Sequence, residues 1–174
     1  YCPDGCLCAG LVWSCKIFNV FHNSGTIWKP IALKISADIH ILDLLSDNLF
    51  SNVEYIDLSS NRLTYIPQTI SSLVNLLYLN IVNNRIKKIH SRAFLFLVRL
   101  SLFANKGNNI SLIMDNAFMG LGLLQNLDLS HQAIAQIGDM GLHGLLNLRK
   151  LDLSYNYLTM IKVHWFSQLA KLTY

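Results

Sequence analysis

The side chains with the most chemical reach in this chain are four cysteines, all within its first fifteen residues: Cys2, Cys6, Cys8 and Cys15, in the string CPDGCLCAGLVWSC. Four cysteines permit three disulfide pairings, and spacing alone does not choose among them. A bridge from Cys6 to Cys8 would close a small, strained ring, which favours Cys2 with Cys8 and Cys6 with Cys15. The alternative chemistry is a zinc ion held by all four thiolates. Zinc ribbons and fingers split their ligands into two separated pairs, whereas this cluster is compact and followed by a cysteine-free body, so disulfides are preferred. Disulfides imply an oxidising compartment, the secretory pathway, the cell surface or the extracellular space.

Catalytic chemistry is harder to find. The histidines, at 22, 40, 90, 131, 143 and 164, form no metal-ligand pair, and G-x-S-x-G, P-loop and G-x-G-x-x-G motifs are all missing. Gly120 and Gly122 make a G-x-G without the rest of a phosphate loop, and only His131 sits where it could contact a ligand. The expectation is a protein that is not an enzyme and uses no cofactor or metal. One glycosylation sequon is present, Asn109-Ile110-Ser111.

The elements that would position these residues follow from leucine. It occurs 32 times in 174 residues, with Gly at 9 and Pro at 3, against 52% apolar and 14% charged composition. Disorder, collagen and low-complexity stalks are excluded. The most apolar stretch, residues 93–104, is broken by Arg99, short of the roughly 18 residues a membrane span needs. Net charge is +4, too mild for a nucleic-acid footprint unless clustered. The nearest cluster, Arg85, Lys87, Lys88, His90 and Arg92, reads as a solvated loop face. The chain begins with Tyr1, so any signal peptide is expected to have been removed or to lie outside it.

Leu76, Leu100, Leu124, Leu148 and Leu172 recur every 24 residues, and Val53 precedes them by 23. Each unit follows L-x-x-L-x-L-x-x-N-x-L-x-x-I and then x-x-x-x-F-x-x-L. The first reads Val53, Ile56, Leu58, Asn61, Leu63, Ile66, Ile70, Leu73, and the fifth Leu148, Leu151, Leu153, Asn156, Leu158, Ile161, Phe166, Leu169. In the third, the unbroken period puts Asn105 where a core leucine belongs. A shifted register through residues 97–105 is the alternative, and either way residues 104–109 should be the least regular. Residues 31–52 form a degenerate first repeat, with Leu33 and Ile35 as its strand and Asp38 in the Asn slot.

This template resembles the leucine-rich repeat. A strand of L-x-L type alternates its side chains inward and outward, and one coil buries its apolar face only by stacking on another. The expected fold is α/β: a solenoid with a curved parallel sheet on the concave side, an irregular or short-helical convex side, and a disulfide-bonded N-terminal cap. Its parts are a cap and connection at 1–30, the degenerate repeat at 31–52, five repeats at 53–171 and the start of a truncated sixth at 172–174. Asn61, Asn84, Asn108, Gln132 and Asn156 should form a ladder satisfying backbone groups at each turn, with Gln132 making a looser link. Phe94, Phe118 and Phe166, with Leu142 in the fourth unit, should fill the convex half. Because the last unit stops after Leu172, the natural protein is expected to continue into further repeats and a closing cap.

A CPxxCxC string ahead of such repeats resembles the caps of extracellular leucine-rich-repeat proteins, a family that includes Toll-type receptors, small proteoglycans, adhesion proteins and G-protein-coupled receptors. Within it, CLCAGL at Cys6 to Leu11 and LDLSYN at Leu151 to Asn156 are similar to relaxin-receptor-type ectodomains. The resemblance implies binding of an extracellular protein or peptide at the cell surface, no nucleic acid, and membrane attachment only through residues outside this chain. The alternative is an adhesion, matrix or Toll-like protein. Alternation places Tyr55, Tyr78, Asn126 and Lys150 in one outward column of the sheet and Asp57, Asn80, Asp128 and Asp152 in the next. Tyrosines beside carboxylates suit a ligand with basic residues.

Overall fold

The computed structural model describes residues 6–15, 31–36 and 50–173. Cys2, Asp38 and Tyr174 lie outside them, as does the whole connection at 16–30. Each coil of the described body contributes a short strand centred on an inward template residue with an outward residue on either side. These are β3 (Ala32–Ile35), β4 (Tyr55–Asp57), β5 (Tyr78–Asn80), β7 (Leu102–Ala104), β9 (Asn126–Asp128) and β11 (Lys150–Asp152). Pairing is parallel and keeps the repeat register, with Ile56 beside Leu79 and Leu79 beside Phe103. The third coil therefore holds the 24-residue period, and Asn105 is 2% exposed in the core slot.

The cap is part of this sheet. Strand β1 (Cys6–Ala9) turns at Gly10 into β2 (Val12–Cys15), antiparallel, with Cys6 opposite Cys15 and bonded to it as a disulfide. Cys8 is also disulfide-bonded, so the zinc alternative loses three of its four ligands. Strand β2 then pairs in parallel with β3, Trp13 beside Leu33 and Cys15 beside Ile35, and all four are buried. Strand β2 thus adds a further parallel strand to the sheet and covers Leu33 and Ile35 with Trp13 and Cys15.

The side opposite the sheet contains no α-helix among the described residues. It carries short 3-10 turns at Gln68–Ser72 and Val163–Phe166 and a second, narrow parallel ladder of two-residue strands, β6 (Lys88–Ile89), β8 (Leu112–Ile113) and β10 (Gln136–Ile137). Between the two layers runs the core, where Phe94 meets Phe103 edge-on at 5.2 Å and stacks on Phe118 at 6.1 Å. Gly120, half of the G-x-G, has φ +105° and packs so closely that a Cβ would lie 2.3 Å from the Phe94 carbonyl oxygen, which makes it a packing residue.

Two places depart from the regular plan. The sheet stops between β7 and β9: six strands run from β1 to β7, and β9 pairs only with β11. The opposite ladder is continuous across the same two coils through β8 and β10, so the coils part on one face and stay joined on the other. The buried Nδ2 of Asn105 has no hydrogen-bond partner at this seam.

The second departure is in the fifth coil, the last in this chain, where Leu151, Leu153, Leu158 and Phe166 pack against the core but stay half-buried. Ile161 is 59% exposed and Phe166 only half-buried, while Trp165 is buried. In the two preceding coils the slot of Trp165 holds Ala117 and Gly141. Residues 160–161 form no strand beside β10, and a cleft of about 520 Å³ lies between Ile137, Leu158, Met160 and Trp165.

Candidate functional site

The turn leaving the sheet strand is built the same way in the five coils from residue 53 onward. The residue before the ladder position, Ser60, Asn83, Gly107, His131 or Tyr155, takes a left-handed conformation with φ between 53° and 70°. Such a turn strands backbone groups, and the ladder side chains satisfy them. Asn84 Nδ2 donates to the carbonyls of Leu58 and Ile81 at 2.9 and 3.0 Å, and its Oδ1 accepts from Leu63 N–H at 3.0 Å. Asn108 repeats this with Ile81, Asn105 and Ile86, and Asn156 with Leu129, Leu153 and Ile134. Asn61 donates to Ile35 and Leu58. Gln132 reaches the corresponding groups at longer range, 3.3 Å from Ile110 N–H and 3.5 Å to the Asn105 carbonyl.

The outward acidic column has a structural task that its spacing alone did not disclose. Oδ1 of Asp57, Asn80, Asp128 and Asp152 accepts the N–H two residues on, from Ser59, Val82, Ser130 and Ser154, at 2.9 or 3.0 Å. These are Asx turns that aim the chain into the left-handed bend. The signal was present as D-x-S at 57–59, 128–130 and 152–154. Ala104 has no acceptor to offer in this slot, and it lies at the seam.

The other carboxylate oxygen remains for electrostatics. Lys34 Nζ lies 3.5 Å from Asp57 Oδ2, and Lys106 Nζ lies 3.3 Å from Asp128 Oδ2, spanning the seam. Burial raises the Asp57 pKa, but hydrogen bonds from Ser59 and the Lys34 charge outweigh it and hold the group below its ordinary 3.8; Asp128 behaves alike through Ser130 and Lys106. Asp152 is exposed and has no lysine partner among the described residues.

Of the aromatic column, Tyr55 is 43% exposed and its ring centroid lies 6.4 Å from that of half-buried Tyr78. The pair stands at the rim of a depression of about 320 Å³, lined also by Val12, Ala32, Lys34 and Asp57. Asn126 and Lys150 pair in register two coils away, beyond the seam, so the structure divides the expected site residues into two groups. Lys34, between Leu33 and Ile35 of β3, and Val12 of β2 are additions, and only Val12 depends on β2 joining the sheet. His131 stacks on Tyr155 with centroids 4.2 Å apart. Asn109 is exposed, and its N–H donates to the Ile86 carbonyl.

The Ser130 and Ser154 hydroxyls donate to Oδ1 of Asp128 and Asp152 at 2.6 Å within their own turns, which fixes both pairs in place. Among the described residues no group of three His, Cys, Asp or Glu side chains could hold a metal ion, and no helix is long and apolar enough to cross a membrane. The surface can bind through aromatic, carboxylate and amide groups held at coil spacing.

The comparisons agree with the geometry. The leucine-rich repeat family model matches residues 40–86, 51–106, 75–134 and 123–174. No curated protein matches the chain. Among solved structures, a leucine-rich-repeat protein of Leptospira interrogans is similar with a TM-score of 0.64 and 22% identity, over 82% of this chain. The chain spans 41% of that protein's length, and the likeness concerns the fold. With the family's repeat matched over most of its length and its ladder built coil by coil, the chain belongs to the leucine-rich repeat family, whose domains generally mediate protein–protein interaction and are generally not enzymes.

Proposed function

We propose that this chain is the ligand-binding part of a cell-surface receptor of relaxin-receptor type, and that its sheet face takes an extracellular peptide or protein carrying basic residues. The carrying observation is the depression at Tyr55 and Tyr78. Two tyrosines over an apolar floor, with the Asp57 carboxylate beside them, offer the anchor-and-selector pairing that concentrates interface energy. Lys34 occupies that carboxylate in the free protein, so a partner's cation would have to displace it. Asp152 needs no such exchange. The receptor assignment rests on the CLCAGL and LDLSYN strings, and an extracellular address on the Cys6–Cys15 disulfide. Such caps are shared with adhesion, matrix and Toll-like proteins, which gives the second reading the same binding surface.

The test is selection of peptides from a displayed random library on the immobilised chain. Enrichment of Lys- and Arg-bearing peptides that no longer bind a Tyr55→Ala/Tyr78→Ala variant supports the proposal. Selected peptides that bind this variant and an Asp128→Lys/Asp152→Lys variant as well as the original chain overturn it.

A further inference from the structure

The flank of the first two coils, away from the sheet face, concentrates positive charge. Ile86 and Ile89 are fully buried, which turns the residues around them outward: Arg85, Lys87, Lys88, His90 and Arg92 are all exposed. Arg62 joins them from the coil before, since Arg85 N–H donates to the carbonyl of Leu63, its neighbour. The four ion pairs among the described residues use none of these cations. The fold does not require charge here. The slots of Arg85, Lys87 and Lys88 hold Asn109, Ser111 and Leu112 one coil later and Ala133, Ala135 and Gln136 in the next, with the same buried isoleucines between them.

Beside the cations lies a groove of about 490 Å³ between the first and second coils, lined by apolar side chains that include Leu95 and Phe96 and by Tyr65, Gln68, His90 and Arg92. It combines hydrogen-bonding side chains and a tyrosine ring with a guanidinium at its edge. Cations with no ion-pair partner among the described residues, beside a groove of mixed apolar and hydrogen-bonding lining, fit a chain of anionic groups carried on sugar rings, which present both apolar faces and hydroxyls. We infer that this flank binds a sulfated polysaccharide, with sulfates on Arg85, Lys87 and Lys88 and a sugar unit in the groove. The choice of polysaccharide rests on the extracellular reading of the cap disulfides. Anionic lipid is concentrated on the cytoplasmic side of membranes, and the fields that attract nucleic acid and polysaccharide are otherwise alike. The site is separate from the sheet face, so it would hold the protein in an extracellular matrix while leaving Tyr55 and Tyr78 free.

The experiment is chromatography of the whole chain on immobilised heparin and on a sulfopropyl resin, with NaCl elution. The original chain is expected to need more salt on heparin than on sulfopropyl. An Arg85→Gln/Lys87→Ser/Lys88→Leu variant should lose that excess, whereas Arg99→Gln/Arg149→Gln/Lys171→Gln, equal in charge, should keep it. In solution, the slope of log affinity against log salt should fall by about three for the flank variant, one for each cation removed. If that variant unfolds, Lys87→Ser and Lys88→Leu singly, each with an unchanged melting temperature, should lower the slope by about one. Three results overturn the inference: no excess retention on heparin, equal loss in both triple variants, or displacement from heparin by single-stranded DNA or phosphatidylserine vesicles as effectively as by free heparin.

Discussion

Gln132 Nε2 stands 3.5 Å from the carbonyl of Asn105, while the Asn105 amide beside it is buried without a partner, and the sheet stops there. Elsewhere the ladder amides lie 2.8–3.0 Å from the strand carbonyls of the two coils they join. The longest ladder contact and the misplaced polar core residue meet at the one seam between β7 and β9.

Asn105→Leu should therefore stabilise the chain. It removes an unsatisfied buried donor, whose cost is about 1–3 kcal/mol, and restores the template residue. Urea denaturation is expected to show a higher midpoint with an unchanged slope. A lower midpoint would mean that the slot is too small for leucine.

The ladder itself makes a paired prediction. Asn84→Ala strands the buried Leu63 N–H, while the carbonyls of Leu58 and Ile81 keep the amides of Asn61 and Asn108, and should cost about 1–3 kcal/mol. Gln132→Asn shortens a strained reach and should raise the melting temperature. Thermal unfolding of the two variants in parallel should move in opposite directions.

The spacing of the leucines made the coil, the register and the ladder legible, because a 24-residue period allows one solution for which side chains face inward. Three features were not legible, each for a local reason. Strand β2 joins the sheet 20 residues before β3, with Trp13 and Cys15 in leucine slots, so the period is broken where the cap begins. In the fifth coil Trp165, which the template left unassigned, is the buried aromatic, while Phe166 in the template slot is half-buried. The D-x-S turns use the same carboxylates that alternation marks as surface residues. Of the candidate site, alternation supplied both outward columns, while the depression at Tyr55 depends on Val12 and Lys34 from neighbouring strands.

Removing the Cys6–Cys15 disulfide should loosen the closed end of the solenoid. The bridge spans nine residues, and loop entropy on that scale corresponds to about 2.5 kcal/mol. A Cys6→Ser/Cys15→Ser variant should unfold at correspondingly lower urea, and hydrogen exchange should rise first at Leu33 and Ile35, which pack on Trp13 and Cys15.

Acid sensitivity follows from Asp57 and Asp128. Their folded pKa values lie below the ordinary 3.8, so each contributes stability that is present above 3.8 and lost as pH falls through that value to the lower folded one. The melting temperature should drop below pH 4 more steeply in the original chain than in Asp57→Asn/Asp128→Asn. Parallel curves would show that the turns and the Lys34 and Lys106 pairs carry no net stabilisation.

The claim that the sheet face is the binding surface is tested most directly by where a partner touches. Tyr55 and Tyr65 are both tyrosines and both 43% exposed, but Tyr55 lies in the sheet column and Tyr65 on the flank with the cationic groove. A benzoylphenylalanine photo-cross-linker is introduced in place of each, and the chain is irradiated with a basic peptide selected on the original protein. Mass spectrometry should find peptide adducts from position 55 and none from position 65. Adducts from position 65 alone would contradict the account.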